Sequence, residues 1–216
     1  MEIFYLGHAS FKIKGKKASL ITDPFDPSVV GLKFNRNEAD IVTISHAHKD
    51  HNYLDMLSGQ KMVISSAGEY EVMGVSIIGI ETDHDSTGGK ERGKNIIYVL
   101  EVDGVRIAHL GDLGHKLTEK TIEQMGDVDV VMVPVGGHYT IGPREAVEIV
   151  KDLESPYILP MHFKAAGMSE ELSKKLLPVE DFLREIGYDV EKYDKLILNK
   201  ELINYEQRKV VLLEKR

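Results

Sequence analysis

The segment from Ser45 to His51 reads SHAHKDH and sets His46, His48, Asp50 and His51 within six residues. Alternate residues of an extended chain point the same way, so His46 and His48 can share one metal ion. Asp50 and His51 follow as the chain turns, which sends them towards a neighbouring position. Four ligand-type side chains exceed what one tetrahedral ion takes from so short a stretch, and two ions are implied. A solvated loop with Asp50 as a helix cap has no use for three imidazoles.

The chain has no cysteine. Thiolate ligands and disulfides are therefore excluded, and any metal is held by imidazole and carboxylate, which favours zinc, with manganese and iron as alternatives. A formal charge of -8 gives no general attraction to phosphate backbones, so a nucleic-acid partner is disfavoured. No apolar run approaches the ~18 residues of a membrane span, and the N-terminus lacks the apolar stretch of a signal peptide. These features predict a cytoplasmic protein. With 42% hydrophobic residues in 216, one domain over residues 1–216 is expected, with a homo-oligomer left open.

Alternating apolar residues on either side of Gly15 predict a hairpin, and Asp103-Gly104 between two β-branched runs predicts another. ADIVTIS, KMVIS, YEVMG and VSIIGIE read as strands, and NYLDML after His51 reads as a short helix. Beyond residue 115 the period changes. LTEKTIEQM, PREAVEIVKDL and PVEDFLREIG place apolar residues three and four apart, so they read as amphipathic helices. DVDVVMVPVG and PYILPM between them, and YDKLILN and KVVLLE at the end, read as strands. The expected architecture is α/β, two face-to-face sheets with helices outside; a single mixed sheet is the alternative.

Four strand runs end on a residue of metal-ligand type: ADIVTIS at His46, GVRIAHLG at Asp112, DVVMVPVGG at His138 and PYILPM at His162. Apolar strands fix the backbone and the loops beyond them supply polar groups, so these residues should meet at one sheet edge. The glycine-rich loop from Thr82 to Lys94 carries His84. It also carries Lys90, Arg92 and Lys94, which could recognise an anion, and its glycines predict a mobile segment that closes over substrate.

HAHKDH matches the HxHxDH signature, and with Asp23 in TDPF, Asp112 in LGD and His162 in PMH in the expected order, the chain resembles the metallo-β-lactamase superfamily. LGHAS, GDLGH and PVGGHY resemble its small ascorbate-6-phosphate lactonase-like group. The resemblance implies a four-layer αββα sandwich. It also implies one metal on His46, His48 and His84, a second on Asp50, His51 and His162, and Asp112 between them. His109 is the rival to His84, but its place in the strand should turn it elsewhere.

Two such ions activate a hydroxide for hydrolysis. The expected reaction is hydrolysis of a small, anionic ester, lactone or phosphodiester. Asp50 would orient the water or pass its proton on, and His138 would donate to substrate. Asp23, His8 and Arg92 are candidates for supporting the ligands or meeting the substrate. A nuclease and a di-iron redox protein are the alternatives.

Overall fold

A computed structural model describes residues 1–216. The short apolar runs of the first half become β1 (Glu2–Gly7), β2 (Ser10–Lys14), β3 (Ser19–Thr22), β4 (Asn37–Glu38), β5 (Ile41–Thr43), β6 (Leu57–Ser58) and β7 (Met62–Ile64), with a one-turn helix α1 (Pro27–Val30) after β3. They continue as β8 (Gly68–Val72), β9 (Val75–Asp83), β10 (Lys94–Val102) and β11 (Val105–His109). Then α2 (Glu119–Met125), β12 (Val130–Pro134), α3 (Pro143–Leu153) and β13 (Tyr157–Met161) alternate. After them come α4 (Glu170–Lys175), α5 (Val179–Ile186), β14 (Asp189–Tyr193), β15 (Leu196–Ile197) and β16 (Lys209–Leu213).

The strands form a six-stranded sheet in the order β15-β1-β2-β3-β5-β7 and an eight-stranded sheet in the order β14-β16-β13-β12-β11-β10-β9-β8, with β4 and β6 paired separately. Strand alternation decides which residues meet what. Tyr98 and Leu100 of β10 and Met132 of β12 face the six-stranded sheet, joining Phe11, Ile13 and Leu20 in the central core. Their neighbours Ile97, Val99, Val131 and Val133 face the other way, onto Val147 and Val150 of α3 and Phe182 of α5. The outer face of the six-stranded sheet presents Leu6 and Ile21 to Val30 of α1, to Leu172 of α4 and to Leu176 just after it. The result is the expected four layers.

Both predicted hairpins form. Gly15 N donates to Ala18 O at 3.0 Å, and Asp103 and Gly104 take φ of 52° and 79°, the left-handed pair of a tight hairpin turn. Pro143 opens α3 as its first residue. NYLDML differs: residues 52–56 form a loop and turn leading into β6, tied to neighbouring segments by Tyr53 N–H on Pro24 O and by the Asn52 side-chain amide on Ala47 O. YDKLILN yields only the two residues of β15, and the polar DVEKY pairs as the edge strand β14. No helix is long and apolar enough to cross a membrane.

The topology fixes where the chemistry lies. β3, β5 and β7 run parallel, as do β11, β12, β13 and β16, so the ends of these strands share an edge. Asp23, Ser45, Asp112, Gly136 and His162 all follow such ends. His8 follows β1 and His84 follows β9.

Candidate metal centre

Seven non-glycine residues have positive φ, and four of them, His8, Asp23, His138 and His162, lie just beyond strand ends at this edge. Such backbone costs roughly 1–3 kcal/mol per residue and persists where surrounding structure over-determines it. At His8, Asp23 and His162 the left-handed turn brings a buried side chain into the cluster, whereas His138 stays exposed. Gly111, with φ of 56°, lets the chain pass so close to Asn95 and Ser45 that a Cβ would collide with both. The next residue, Asp112, is thereby delivered to the middle, its N–H donating to Asn95 Oδ1 at 2.9 Å.

Asp112 is buried, and its carboxylate meets four imidazoles through their Nε2 atoms. His162 lies at 3.2 Å, His51 at 3.3 Å, His84 at 3.4 Å and His46 at 4.0 Å. Burial alone would push this carboxyl up, but the imidazoles of His162 and His51 outweigh it and hold the group well below the usual range. Burial pulls the opposite way on His51, yet Asp112 and Asp50 beside it hold that imidazole well above its ordinary value. Burial brings His46 down to about 3.

Ligand-type atoms lie within 4.8 Å of one another in three sets: His46, His48 and His84; His46, His51 and Asp112; and His8, Asp50, His51 and His162. His48 is exposed and the ring of His46 stands 4.6 Å from it. His51 Nδ1 meets Asp23 Oδ2 at 2.9 Å, and His46 Nδ1 meets Ser45 Oγ at 2.9 Å. Ser45 is itself held by Asp23, through its N–H at 2.7 Å and its hydroxyl at 2.5 Å. Each of these two rings thus has one nitrogen engaged and its Nε2 buried without a hydrogen-bond partner, and His162 has both ring nitrogens buried without one.

Buried imidazoles without partners are costly in a dry interior unless something coordinates them. Three imidazoles in one set, a carboxylate with imidazoles in the next, and no thiolate make a donor set that fits divalent transition-metal ions.

His109 is turned away as expected: its Nε2 meets Ala9 O at 2.7 Å and its Nδ1 accepts from Gly111 N. His138 is exposed, with its ring edge-on to Tyr139 at 4.5 Å, and belongs to none of the three sets. Arg92 lies near the same tyrosine, its guanidinium 5.9 Å from the ring, and Lys175 donates to the Tyr139 hydroxyl at 2.7 Å. Of the other loop cations, Lys94 is occupied by Asp83 and Glu81, and Lys90 is exposed.

The loop after β9 is more tightly organised than its glycines suggest. Asp85, next to His84, accepts from Thr87 N–H and hydroxyl and from the N–H groups of Gly89, Glu91 and Arg92. Sequence reasoning passed over Asp85, Ser45 and Asn95. Ser45 stands inside the SHAHKDH segment and Asp85 beside His84, but their partners are fixed only by folding.

The fold and this cluster define the class: the chain belongs to the metallo-β-lactamase superfamily. The model of the β-lactamase superfamily domain matches residues 2–162. The chain is a metal-dependent hydrolase. It is 36% identical to a UPF0173 metal-dependent hydrolase of Thermococcus onnurineus, over 81% of this chain and 91% of the relative. A second UPF0173 hydrolase, from Pyrococcus furiosus, is 31% identical with the same coverage. Among solved structures, a Thermotoga maritima protein assigned to the zinc-dependent hydrolases of the metallo-β-lactamase superfamily superposes with a TM-score of 0.80. It is 40% identical and covers 100% of this chain and 99% of its own.

Proposed function

We propose that this hydrolase holds two divalent cations side by side and cleaves a small anionic ester, lactone or phosphodiester. His46, His48 and His84 would hold one ion, Asp50, His51 and His162 the other, and Asp112 both. The observation that carries this reading is the central position of Asp112, whose oxygens stand 3.2–4.0 Å from four imidazole nitrogens belonging to both sets. One ion cannot take seven protein donors in a tetrahedral or octahedral shell. Zinc suits imidazole and carboxylate best, with manganese and iron as alternatives.

Bound ions of this kind acidify water towards neutral pH and polarise the bond under attack. The protein groups do the rest. Asp50, half-buried at the rim, is held ionised by His51 and His8 against the effect of burial. It would orient the attacking water and move its proton towards the leaving group. Arg92 and His138, both near the ring of Tyr139, would meet the negative charge and the developing oxyanion of the substrate. The resemblance of LGHAS, GDLGH and PVGGHY to the ascorbate-6-phosphate lactonase-like group supports including lactones.

Elemental analysis of protein purified without chelator tests the two ions, and a screen over phosphodiesters and lactones tests the reaction. Close to two ions per chain are expected. Asp112→Ala should weaken both together and remove the activity found. A fully loaded sample holding a single ion, or unchanged affinities in Asp112→Ala, would sink this reading.

A further inference from the structure

His8 has no place in the seven-ligand set, yet it is as deeply buried as any ligand in it. Its Nε2 stands 3.2 Å from Asp50 Oδ2, and its ring centroid is 4.2 Å from that of His162 and 5.2 Å from that of His51. The ligand atoms of His8, Asp50, His51 and His162 all lie within 4.8 Å of one another. Neighbouring donors of one zinc ion stand roughly 3.0–3.4 Å apart, given zinc–ligand bonds of about 2.1 Å and angles of about 90–110°. The His8 to Asp50 separation suits that edge as well as it suits a hydrogen bond.

The backbone puts the ring there independently of any ion. β1 shifts register between Tyr5 and Gly7, and His8 then turns left-handed, with φ of 56°. Its carbonyl accepts from Tyr5 Oη and from His162 N, both at 2.9 Å. Two left-handed histidines are thus locked back to back. His8 Nδ1 is buried without a partner, but so are Nδ1 of His84 and of His162, so this does not set His8 apart from the expected ligands.

Resting on the two-ion reading above, we propose that His8 is a direct ligand of the ion shared by Asp50, His51 and His162. Counting Asp112, that ion then has five protein donors, one more than fills a closed tetrahedral shell, which leaves no position for water. The other ion has three imidazoles besides Asp112, and its His48 faces solvent. That side is the less crowded and the solvent-facing one, so an added ligand, water or substrate, is received there by expansion from four to five donors.

The test is zinc titration of metal-free protein in competition with a chromophoric chelator, for wild type, His8→Leu and His8→Gln. Wild type should take up two equivalents. His8→Leu should weaken one of them tenfold or more and leave the other unchanged, and His8→Gln should weaken the same one, because an amide replaces the N–H donor but is a poor metal ligand. Cobalt(II) bound in place of that zinc should change its visible absorption in both variants. Recovery in His8→Gln would overturn the proposal, since His8 would then serve only by donating to Asp50. Unchanged affinities in His8→Leu would overturn it too. If wild type takes up a single equivalent, the two-ion reading fails, and the His8 assignment survives only if that equivalent weakens in His8→Leu. Should His8→Leu not fold without metal, His8→Asn, which accepts a left-handed backbone but ends short of Asp50, carries the same comparison.

Discussion

Asp23 Oδ2 and His51 Nδ1 lie 2.9 Å apart in the dry interior, and the same carboxylate holds Ser45, whose hydroxyl meets His46. One buried acid thus orients an imidazole in each of two neighbouring ligand sets. Burial raises this carboxyl, and His109 and His51 together more than reverse that, so it stays ionised. Asp23→Asn keeps the shape and removes the charge. Ten- to hundredfold weaker metal binding is expected, the usual effect of losing the partner that orients a ligand. Equilibrium titration with zinc measures it, and unchanged affinity would leave Asp23 as a turn residue only.

Metal-free protein should lose stability as pH falls from about 6.5 towards 4. Burial brings His46 down to about 3 and His8 to about 4, and it lowers His84 and His109 as well. In that window the unfolded chain takes up protons that the folded chain refuses. His51 is shifted the other way, and its contribution is already complete below 6.5, so it does not cancel the decline. Melting temperatures of the chelator-treated protein across this range report the effect. A flat or rising profile would contradict the buried, neutral state of these imidazoles.

Asp85 gathers five donors from the loop that follows His84. Asp85→Ala leaves those donors without their acceptor and frees the loop glycines to explore other conformations. Amide hydrogen exchange in residues 84–93 should rise, and metal binding should weaken because His84 is no longer held. Protection equal to wild type would show that the ends of β9 and β10 order the loop without Asp85.

Arg92→Ala should raise KM for an anionic substrate more than it lowers kcat, because the guanidinium binds charge that is present before the reaction. His138→Ala should keep metal content and melting temperature while kcat falls on the order of tenfold to a thousandfold, the scale of one transition-state donor. Steady-state kinetics with elemental analysis separates the two. Loss of metal from His138→Ala would make it a ligand instead.

Local chemistry alone sufficed for much of this protein. The SHAHKDH segment marked the histidine cluster by its composition, although residues 45–51 form bends and turns and not an extended strand, and the hairpins at Gly15 and Asp103-Gly104 were legible because turn conformation depends on the residues in the turn. The helices α2, α3 and α5 declared themselves by apolar spacing. NYLDML misled because a six-residue apolar pattern says nothing of Pro24 and Ala47, whose carbonyls claim Tyr53 and Asn52. The short α4 escaped notice because EELSKK carries a single buried leucine, Leu172, facing the outer sheet. Tertiary structure alone decided that Asp23 reaches across 28 residues to His51, that Asp85 organises its loop, and that His8 joins Asp50 and His162 across the sheet edge. Such contacts follow from strand order and left-handed turns at strand ends, where distant segments converge in space and no local pattern in the sequence records who their partners are.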